Sequence, residues 1–578
     1  MSVLSNEWRN VTRKAPRVNS ERLILALLVL LIGLLSVAPL MRLVWAAIAP
    51  SGVPDIARLT RLLASDRVLI ASGNTLLIAL SSTLISVVLG TAAAWLVALS
   101  DLRAKTAWVF AFILPLMIPP QVTALAWLQA LAPSSPLALL FATLELPWFA
   151  PGEQPLYSLT GIVLLLGTHN APLVFLTVRA GLRRLPADLV EAAQASGASR
   201  ARILFTIVLP LARPAIFAGA ALTFVAAAGN FGIQAMLGIP ARVPTLITLV
   251  YQQLNGIGPS ALPNTAVYAL LIAVITLAGM AASAWLGGRH DVRVNGAPRL
   301  WQQSLGRGRM AVEGVAWLWM ALTLLLPLSA LLITALTSGF GQALSWQKLT
   351  LENFRAALWG YPAVRQAFLT SLGLTTLAAL ILTVCALFLA YFLSWRRTKL
   401  VRGLWLASEL TYALPGIVTG VAAMLFFLRP LPIVNVSLYG TVWIILAAYL
   451  ANFLALVLRP TLAGFAQLEP ALDEAARLCG AGFLRRMRDI LLPLAAPSAL
   501  AGSVLVFLTA LNEIQVSVLL VTSQTQTIGP TIVFLDEGGS ASLAAAVGCL
   551  MIVVVCLLMA VATRLTRRLP HGILPWQA

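Results

Sequence analysis

Long apolar segments alternate with shorter polar segments along almost the whole chain. Twelve of the apolar segments are long enough for a membrane-spanning helix, which needs about 20 residues. Their approximate limits are 23–48, 74–99, 107–131, 158–179, 212–236, 264–286, 313–336, 366–393, 403–428, 438–458, 495–519 and 541–563. Several contain proline, which membrane helices tolerate and which often bends them. The pattern therefore predicts an all-α, multi-pass membrane protein with about twelve transmembrane helices.

The composition agrees with this prediction. Of 578 residues, 60% are hydrophobic and 10% are charged, whereas soluble domains carry about 25% charged residues. The first apolar segment, from Leu23, is longer than the roughly 7–15 apolar residues of a cleaved signal peptide, so we expect it to remain as a helix. The four cysteines (Cys385, Cys479, Cys549 and Cys556) lack metal-type or paired spacing. We expect neither a zinc site nor a disulfide framework.

Basic residues account for the net charge of +19. When the N-terminus is placed in the cytoplasm, 30 of the 39 Lys and Arg residues fall in segments on the cytoplasmic side. Cytoplasmic loops of inner-membrane proteins are rich in Lys and Arg. We therefore expect a bacterial inner-membrane protein with both termini in the cytoplasm, in contact with the lipid bilayer and not with nucleic acid.

One stretch of the chain occurs twice. Residues 189–227 and 472–510 align without a gap at an offset of 283. The shared positions include Glu191/Glu474, Ala192/Ala475, Ala193/Ala476, Gly197/Gly480, Leu209/Leu492, Pro210/Pro493, Pro214/Pro497 and Gly219/Gly502. A composition rich in Ala and Leu does not explain matches at Glu, Gly and Pro. Six predicted spans separate the copies, so the two halves have the same orientation in the membrane.

The repeat divides the chain into two similar halves. The predicted limits are 1–69 for an N-terminal tail, first helix and outer loop, 70–286 for the first transmembrane domain, 287–312 for a cytoplasmic linker, 313–365 for the seventh helix and outer loop, 366–563 for the second transmembrane domain, and 564–578 for a cytoplasmic tail. Pro120 in the third span is expected to correspond to Pro415 in the ninth.

Each copy of the repeat begins with a short helix, predicted at the cytoplasmic surface. In 186–210, acidic residues lie in the first turns, where they suit the helix dipole, and two alanines favour helix. Gly197 can end the helix in a left-handed conformation. A second, basic helix follows, and Leu209-Pro210 is expected to end it where the chain re-enters the membrane. Residues 469–493 repeat this pattern.

The two segments resemble the EAA loop of permease subunits of binding-protein-dependent ABC importers. The family pattern is E-A-A-x3-G-x9-I-x-L-P, and both copies match it fully. The resemblance assigns contact with an ATP-binding subunit to Glu191, Ala192, Ala193, Gly197, Leu209 and Pro210, and to Glu474, Ala475, Ala476, Gly480, Leu492 and Pro493. It implies a type I importer permease with both transmembrane domains in one chain. Its implied partners are a dimer of ATP-binding subunits and a periplasmic solute-binding protein.

The resemblance also places ATP hydrolysis on the partner subunit. A P-loop needs a Gly-Lys pair, so that the lysine reaches the nucleotide phosphates. The four lysines (Lys14, Lys105, Lys348 and Lys399) do not follow a glycine, and the chain has no HExxH or GxSxG motif. We therefore expect no catalytic residue, enzyme activity or cofactor on this chain, with ATP and Mg²⁺ bound by the partner.

Polar residues within the spans are the candidates for a substrate pathway, because burying them in lipid is costly. Glu513 in the eleventh span is matched by Asn230 in the fifth, and Glu409 lies in the ninth. Residues 512–547 and 229–252 resemble the corresponding runs of fused iron(III) permeases. Fe(III) suits oxygen ligands such as Glu513, although the sequence identifies no complete ligand set. Ferric iron is the expected substrate, and the alternatives are thiamine, phosphonates, polyamines and sugar phosphates.

A second class of function fits the same pattern of spans. A secondary transporter driven by an ion gradient can also have twelve helices in two parallel halves. Such a transporter needs no EAA loop, so the two matching loops favour the importer. A stoichiometric ATPase partner would support the importer, and transport by the lone chain under a proton gradient would support the secondary transporter.

Overall fold

Helices make up almost all of the chain that the computed structural model describes. The described residues are 20–133, 135, 154–183, 187–256, 258, 260–288, 304–339, 349–430 and 435–566. Among them, ten helices are long and apolar enough to cross a membrane, and two bent pairs of helices raise the number to twelve if each pair is one span. The prediction of an all-α, multi-pass membrane protein is confirmed.

The helices follow the same order twice, so that α1–α10 of the first half correspond to α11–α20 of the second. The first half contains α1 (Ser20–Ile48), α2 (Asp66–Leu99), α3 (Lys105–Met117), α4 (Pro120–Leu131), α5 (Leu159–Leu182), α6 (Ala187–Ala195), α7 (Ala201–Gly229), α8 (Phe231–Gly238), α9 (Leu246–Leu254) and α10 (Ala261–Gly287). The second half contains α11 (Gly306–Leu336), α12 (Pro362–Arg396), α13 (Lys399–Ala413), α14 (Gly416–Phe427), α15 (Val442–Phe465), α16 (Pro470–Leu478), α17 (Phe483–Leu511), α18 (Ser517–Leu520), α19 (Ile528–Glu537) and α20 (Ala541–Arg564). Short helices also occur at Ile56–Leu63 and Glu352–Arg355.

Two predicted spans, 107–131 and 403–428, are bent pairs of helices instead of single helices. The bend is 97° between α3 and α4 and 113° between α13 and α14. Pro119 and Pro415 lie at the bends with extended backbones, at ψ angles of 138° and 143°. Proline lacks the N–H that a helix needs and disfavours helical geometry in the residue before it. Because both residues precede the second helix of their pair, Pro415 corresponds to Pro119 and not to Pro120 as predicted.

The fifth and eleventh predicted spans, 212–236 and 495–519, end earlier than expected. The helix α7 ends at Gly229 and α17 ends at Leu511, and each is followed by a break and a short helix. Asn230 and Glu513, the paired pathway candidates, lie in these breaks. Hydropathy could not show this, because the apolar composition continues through both breaks.

The prediction that Leu-Pro ends the basic helix of each repeat copy is wrong. The helices α7 and α17 run through Leu209-Pro210 and Leu492-Pro493 without interruption. Just before the first of these prolines the backbone widens into a π-helical turn, in which the N–H of Leu209 donates to the carbonyl of Leu204. Such a turn accommodates the hydrogen bond that proline cannot make. Each EAA segment is therefore continuous with a membrane helix.

Glycines bring neighbouring helices close together at equivalent places in the two halves. A Cβ atom on Gly219 of α7 would lie 3.0 Å from the Cα of Val174 in α5. A Cβ atom on Gly502 of α17 would lie 2.9 Å from the Cα of Val457 in α15. Membrane helices commonly pack through such small residues. The duplicated sequence thus produces the same helix contact twice.

The first helix of each half lies on the opposite half. The helix α1 packs against α14, and α11 packs against α4. Trp317 of α11 also contacts Trp108 of α3, with ring centroids 4.1 Å apart. The two halves are interlocked, because each bent pair is covered by a helix from the other half.

An ion pair links each of these first helices, α1 and α11, to the half that it covers, and the acid and the base change places between the two pairs. Arg396 at the end of α12 donates to both carboxylate oxygens of Glu21 in α1, at 2.5 and 2.9 Å. Arg309 of α11 pairs with Asp101, which follows α2. The N–H of Leu305 also donates to Asp101 at 2.9 Å, and this hydrogen bond, together with the Arg309 guanidinium, lowers the pKa of the Asp101 carboxyl. The acid thus belongs to α1 in one pair, whereas the base belongs to α11 in the other.

Candidate functional site

The two EAA segments form the same helix and the same turn. We call residues 187–210 loop one and residues 470–493 loop two; Pro186 lies outside the described residues. Gly197 and Gly480 follow α6 and α16 with φ angles of 77° and 78°. In loop one the N–H of Ala198 donates to the carbonyl of Ala193, and the same bond occurs in loop two. Glycine ends helices in this left-handed conformation, as predicted for Gly197.

The residues that the two loops share have matching exposure. The exposed members are Glu191, Ala192, Glu474 and Ala475, together with Pro210 and Pro493. The half-buried members are Ala193 and Ala476, together with Leu209 and Leu492. When the bent pair α13–α14 is counted as one span, six membrane crossings separate the loops, which places both on one face of the bundle, called the EAA face below. Each loop therefore exposes a glutamate and an alanine on this face, and loop two exposes Arg477, Arg485 and Arg488 as well.

The two loops differ in the buried residues beneath these exposed positions. In loop one, the buried residues Val190 and Ile203 are 3% and 1% exposed. At the equivalent positions of loop two, Asp473 and Arg486 are 4% exposed and form an ion pair. Arg477 adds a second ion pair to Asp473 at 2.7 Å. The two loops therefore reach one backbone geometry with different side-chain interactions.

Aromatic residues from α12 pack against loop two. Tyr391 contacts Phe483, with ring centroids 5.2 Å apart, and its hydroxyl accepts a hydrogen bond from Arg477 at 2.9 Å. A cavity of about 400 Å³ lies beside these residues and is lined by Trp395 and Glu474 among others. Loop two is consequently tied to α12 through both apolar and charged contacts.

Four breaks in membrane helices meet between the two halves. They lie at 117–121, 229–232, 414–416 and 512–516, and together with Gly529 we call them the central junction. The side chain of Asn512 donates to the carbonyl of Met117 at 2.9 Å. The N–H of Gly416 donates to the side chain of Gln515 at 2.9 Å. The first of these bonds joins the two halves directly.

Glycines allow the backbones at the central junction to approach one another. A Cβ atom on Gly229 would lie 2.7 Å from the Cβ of Pro415, in the other half. A Cβ atom on Gly232 would lie 2.8 Å from the backbone N of Gln121. A larger side chain at either position would push α7 or α8 away from one of the bent pairs. The described residues of the junction are therefore closely packed.

The paired pathway candidates both lie in the central junction, where they cap short helical segments. The side-chain oxygen of Asn230 accepts from the N–H of Ile233 at 2.9 Å. The two carboxylate oxygens of Glu513 accept from the N–H groups of Val516 and Ser517, at 2.5 and 3.1 Å. The equivalence inferred from sequence is thus an equivalence of local structure. Their contact with a substrate stays a prediction.

Glu409, the third pathway candidate, has its described contacts away from Asn230 and Glu513. Arg459 of α15 donates to both of its carboxylate oxygens, at 3.2 and 2.5 Å. The Arg459 guanidinium also lies 4.9 Å from the ring centroid of Tyr412. This ion pair gives Glu409 a clear role in joining α13 to α15.

Sequence reasoning missed Gln121, Asn512 and Gln515. All three are amides at the helix breaks, and Gln121 is fully buried. The available signals were the Pro-Pro pair before Gln121 and the proximity of the other two to Glu513. Neither signal could show that residues from opposite ends of the chain meet.

Three relatives, among others that share sequence with the chain, are named as permease proteins. A probable ABC transporter permease protein y4fN of Sinorhizobium fredii is 29% identical over 420 residues, which are 71% of this chain and 72% of that protein. The ferric transport system permease protein FbpB of Actinobacillus pleuropneumoniae is 25% identical over 447 residues, 76% of this chain and 63% of that protein. The molybdenum transport system permease protein ModB of Haemophilus influenzae is 30% identical over 239 residues, 41% of this chain and 96% of that protein.

The chain matches one family twice, over residues 86–295 and 382–571. The family is described as the binding-protein-dependent transport system inner membrane component. Each match contains one EAA loop and two of the four breaks of the central junction. The chain therefore belongs to this family of multi-pass inner-membrane permeases and contains two copies of its transmembrane domain.

Proposed function

We propose that the chain is a two-domain permease of an ATP-driven importer. Loops one and two dock on a pair of ATP-binding subunits in the cytoplasm, and the central junction is the closed translocation pathway. The observation that carries this proposal is the pair of EAA loops, which have the same helix, the same turn and the same exposure on one face. A secondary transporter has no use for two such surfaces.

One helix connects each proposed docking surface to the pathway. The helix α7 begins in loop one and ends beside Asn230, and α17 begins in loop two and ends beside Asn512. Each has 29 residues, or about 43 Å at 1.5 Å per residue. Closure of the ATP-binding subunits would draw the loops together and pull both helices away from the junction. Loading of a binding protein on the opposite face would favour the same open state.

ATP and Mg²⁺ act on the partner subunits in this proposal. The chain contributes the docking surfaces, the helices that move, and the residues that line the pathway. A periplasmic solute-binding protein selects the cargo and presents it to the face opposite the EAA loops. The termini then lie in the cytoplasm, as the distribution of Lys and Arg favours.

The cargo is proposed at the level of a small ion or a small charged solute. Ferric iron is supported by the sequence resemblance and by the similarity to FbpB. An oxyanion is supported by the similarity to ModB and by the helix ends at the central junction. Ferric iron favours a pathway with negative charge and an oxyanion favours one with positive charge, so an experiment can separate the two candidates.

The docking proposal is tested with a double variant, Glu191→Ala with Glu474→Ala. We expect binding of the ATP-binding subunits to fall at least about tenfold, which corresponds to about 1.4 kcal/mol, because the exposed glutamate carboxylate of each loop is lost. ATP-dependent uptake into proteoliposomes should fall with it. The measurements are co-purification from the membrane and uptake of the cargo.

Glu352→Ala is the matched control, because Glu352 is an exposed glutamate outside both loops. It should insert, bind and transport like the wild type. Normal uptake by the double variant would contradict the proposal. Transport by the lone chain under a proton gradient would instead support a secondary transporter.

A further inference from the structure

Gln121 is a buried amide without a hydrogen-bonding partner at the meeting point of the two halves. It is 0% exposed, and neither its Nε2 nor its Oε1 has a partner among the described residues. Its Nε2 points towards α19 of the second half, 3.3 Å from where a Cβ atom on Gly529 would be. Burying an unsatisfied amide is costly. Such a group is expected where a ligand or water completes its hydrogen bonds at another stage of the cycle.

The second half satisfies its own glutamine. The carboxamide of Gln515 accepts from Gly416, the first residue of α14. In the first half, Pro120 stands where Gly416 stands and has no N–H, and Gly232 stands where Gln515 stands. With Pro119 matching Pro415, the position of Gln121 is taken by Ile417 in the second half, so Gln121 has no amide counterpart and lacks the contact that Gln515 makes. The unpaired amide of Gln121 thus follows from a difference in sequence between the halves, although the Oδ1 of Asn512 in the second half also lacks a partner among the described residues.

Four helices begin at the central junction. They are α4 and α8 of the first half and α14 and α19 of the second, with 12, 8, 12 and 10 residues. Gln121 lies in the first turn of α4, and the neighbouring Gly232 and Gly529 lie in the first turns of α8 and α19. Helix N-termini carry partial positive charge and free N–H groups. Discontinuous helices aimed at a substrate in this way favour anions.

Glu513 is the one carboxylate among the described residues of the junction, and it does not cancel the partial positive charge of the helix N-termini. Both oxygens of Glu513 accept backbone N–H groups, those of Val516 and Ser517. The acid is therefore directed along the chain towards its own following turn. A bare metal cation would have to compete with these hydrogen bonds. An anion would instead meet the first turns of α4, α8 and α19, in which the N–H groups of Ile233 and Ile528 already donate to Asn230 and Ser371.

We infer that the central junction admits an oxyanion, such as molybdate or a phosphonate, and that Gln121 is a specificity-determining residue for it. The inference rests on the proposed import function. As the halves separate, the Gln121 amide donates to an oxygen of the anion beside the helix N-termini. The space beside Gly232 and Gly529 is filled by Gln121 and Glu513 in this structure, so the anion reaches these backbones only when the junction opens.

The test uses the chain purified with its ATP-binding subunits, reconstituted in proteoliposomes with its binding protein. Uptake of molybdate, 2-aminoethylphosphonate and ferric iron is measured separately, alongside ATP hydrolysis. Gln121→Glu keeps the size of the side chain and adds negative charge. It should lower oxyanion uptake at least about tenfold, since like charge in a narrow cleft depletes the ion. Gln121→Met should lower it about two- to tenfold through loss of the hydrogen bond.

Gln129→Glu is the matched control on the same helix. Gln129 is 4% exposed and accepts a hydrogen bond from Thr334 at 3.3 Å, which glutamate can also accept. It lies eight residues from Gln121, or about 12 Å along α4. Gln129→Glu should therefore leave oxyanion uptake close to the wild-type rate, and ATP hydrolysis should persist in all the variants.

Two results would overturn the inference. One is equal oxyanion uptake by the wild type and both Gln121 variants. The other is wild-type uptake of ferric iron without uptake of either oxyanion, which would leave the proposed import function intact. Failure of the import function itself looks different, because the wild type would then show no ATP-dependent uptake of any of the three solutes. If Gln121→Glu fails to assemble, Gln121→Met decides the matter alone.

Discussion

Loops one and two have one backbone structure and two kinds of interior. Val190 and Ile203 are buried apolar side chains in loop one, whereas Asp473 and Arg486 form a buried ion pair in loop two. Apolar burial is insensitive to the exact orientation of either side chain. A buried ion pair depends on both members, because either one alone is an uncompensated charge. The same exposed loop surface is thus expected to tolerate substitution beneath it in loop one and not in loop two.

The difference extends to the neighbours of each loop. Arg477 joins the ion pair of loop two and reaches Tyr391 at the end of α12. In loop one the equivalent of Arg477 is Gln194, which is exposed. A disturbance in loop two should consequently reach α12, whereas a disturbance in loop one should remain local.

The largest effect is expected from Asp473→Val. The substitution leaves Arg486 buried without its carboxylate, at a cost of about 3–5 kcal/mol. The purified chain should show a lower thermal unfolding midpoint and weaker binding of the ATP-binding subunits. Asp473→Val with Arg486→Ile copies the pair found in loop one and should recover most of both losses.

Val190→Ala is the corresponding change in loop one. It removes two buried methyl groups, and we expect a smaller loss of about 1–2 kcal/mol. The comparison between the loops fails if Asp473→Val is no worse than Val190→Ala. It also fails if the double variant is less stable than Asp473→Val alone.

An intermediate effect, equal in the two loops, is expected from Gly197→Ala and Gly480→Ala. Both glycines have φ near +78° and no heavy atom within 4 Å of an added Cβ, so the cost is conformational and amounts to about 1–2 kcal/mol each. Co-purification of the ATP-binding subunits measures the loss. Asn tolerates this conformation better and should cost less at both positions. Clearly unequal losses from the two alanine variants would show that the surroundings, and not the turn, set the effect.

The smallest effect is expected from Glu21→Gln, beside loop two. The Glu21 and Arg396 side chains are 18% and 38% exposed, and such pairs contribute about 0–1 kcal/mol. The thermal midpoint should therefore shift only slightly. Reversing both charges, with Glu21→Arg and Arg396→Glu, should restore the midpoint. A loss as large as that of Asp473→Val would mean that α1 is an essential support of loop two.

The EAA loops could be predicted from the sequence because their determinants are local. Gly197 and Gly480 end helices in the same left-handed conformation, and the first two residues of each Glu-Ala-Ala triplet are exposed. The course of the chain after each loop could not be predicted in the same way. A proline in an apolar helix is compatible with a stop, a kink or a π-helical turn, and neighbouring helices decide among them.

The central junction shows the same limit more clearly. Asn230 and Glu513 were found because the repeat aligns them, yet Gln121 has no polar counterpart and was missed. Its importance comes from residues that approach it from the other half, such as Gly529. The hydrogen bond from Asn512 to Met117 spans 395 residues of chain. No pattern within one segment carries information about such a contact.

The sequence by itself determined the membrane-spanning, all-α class, the two parallel halves and the two EAA loops, because apolar length, repeat register and helix-ending glycines act within a segment or between equivalent segments. The tertiary structure alone decided that four helix breaks meet, that each first helix covers the opposite half, and that Gln121 is buried without a hydrogen-bonding partner among the described residues. Those features depend on how distant helices pack, and apolar helices in a membrane can pack in many ways with little difference in hydrophobic free energy.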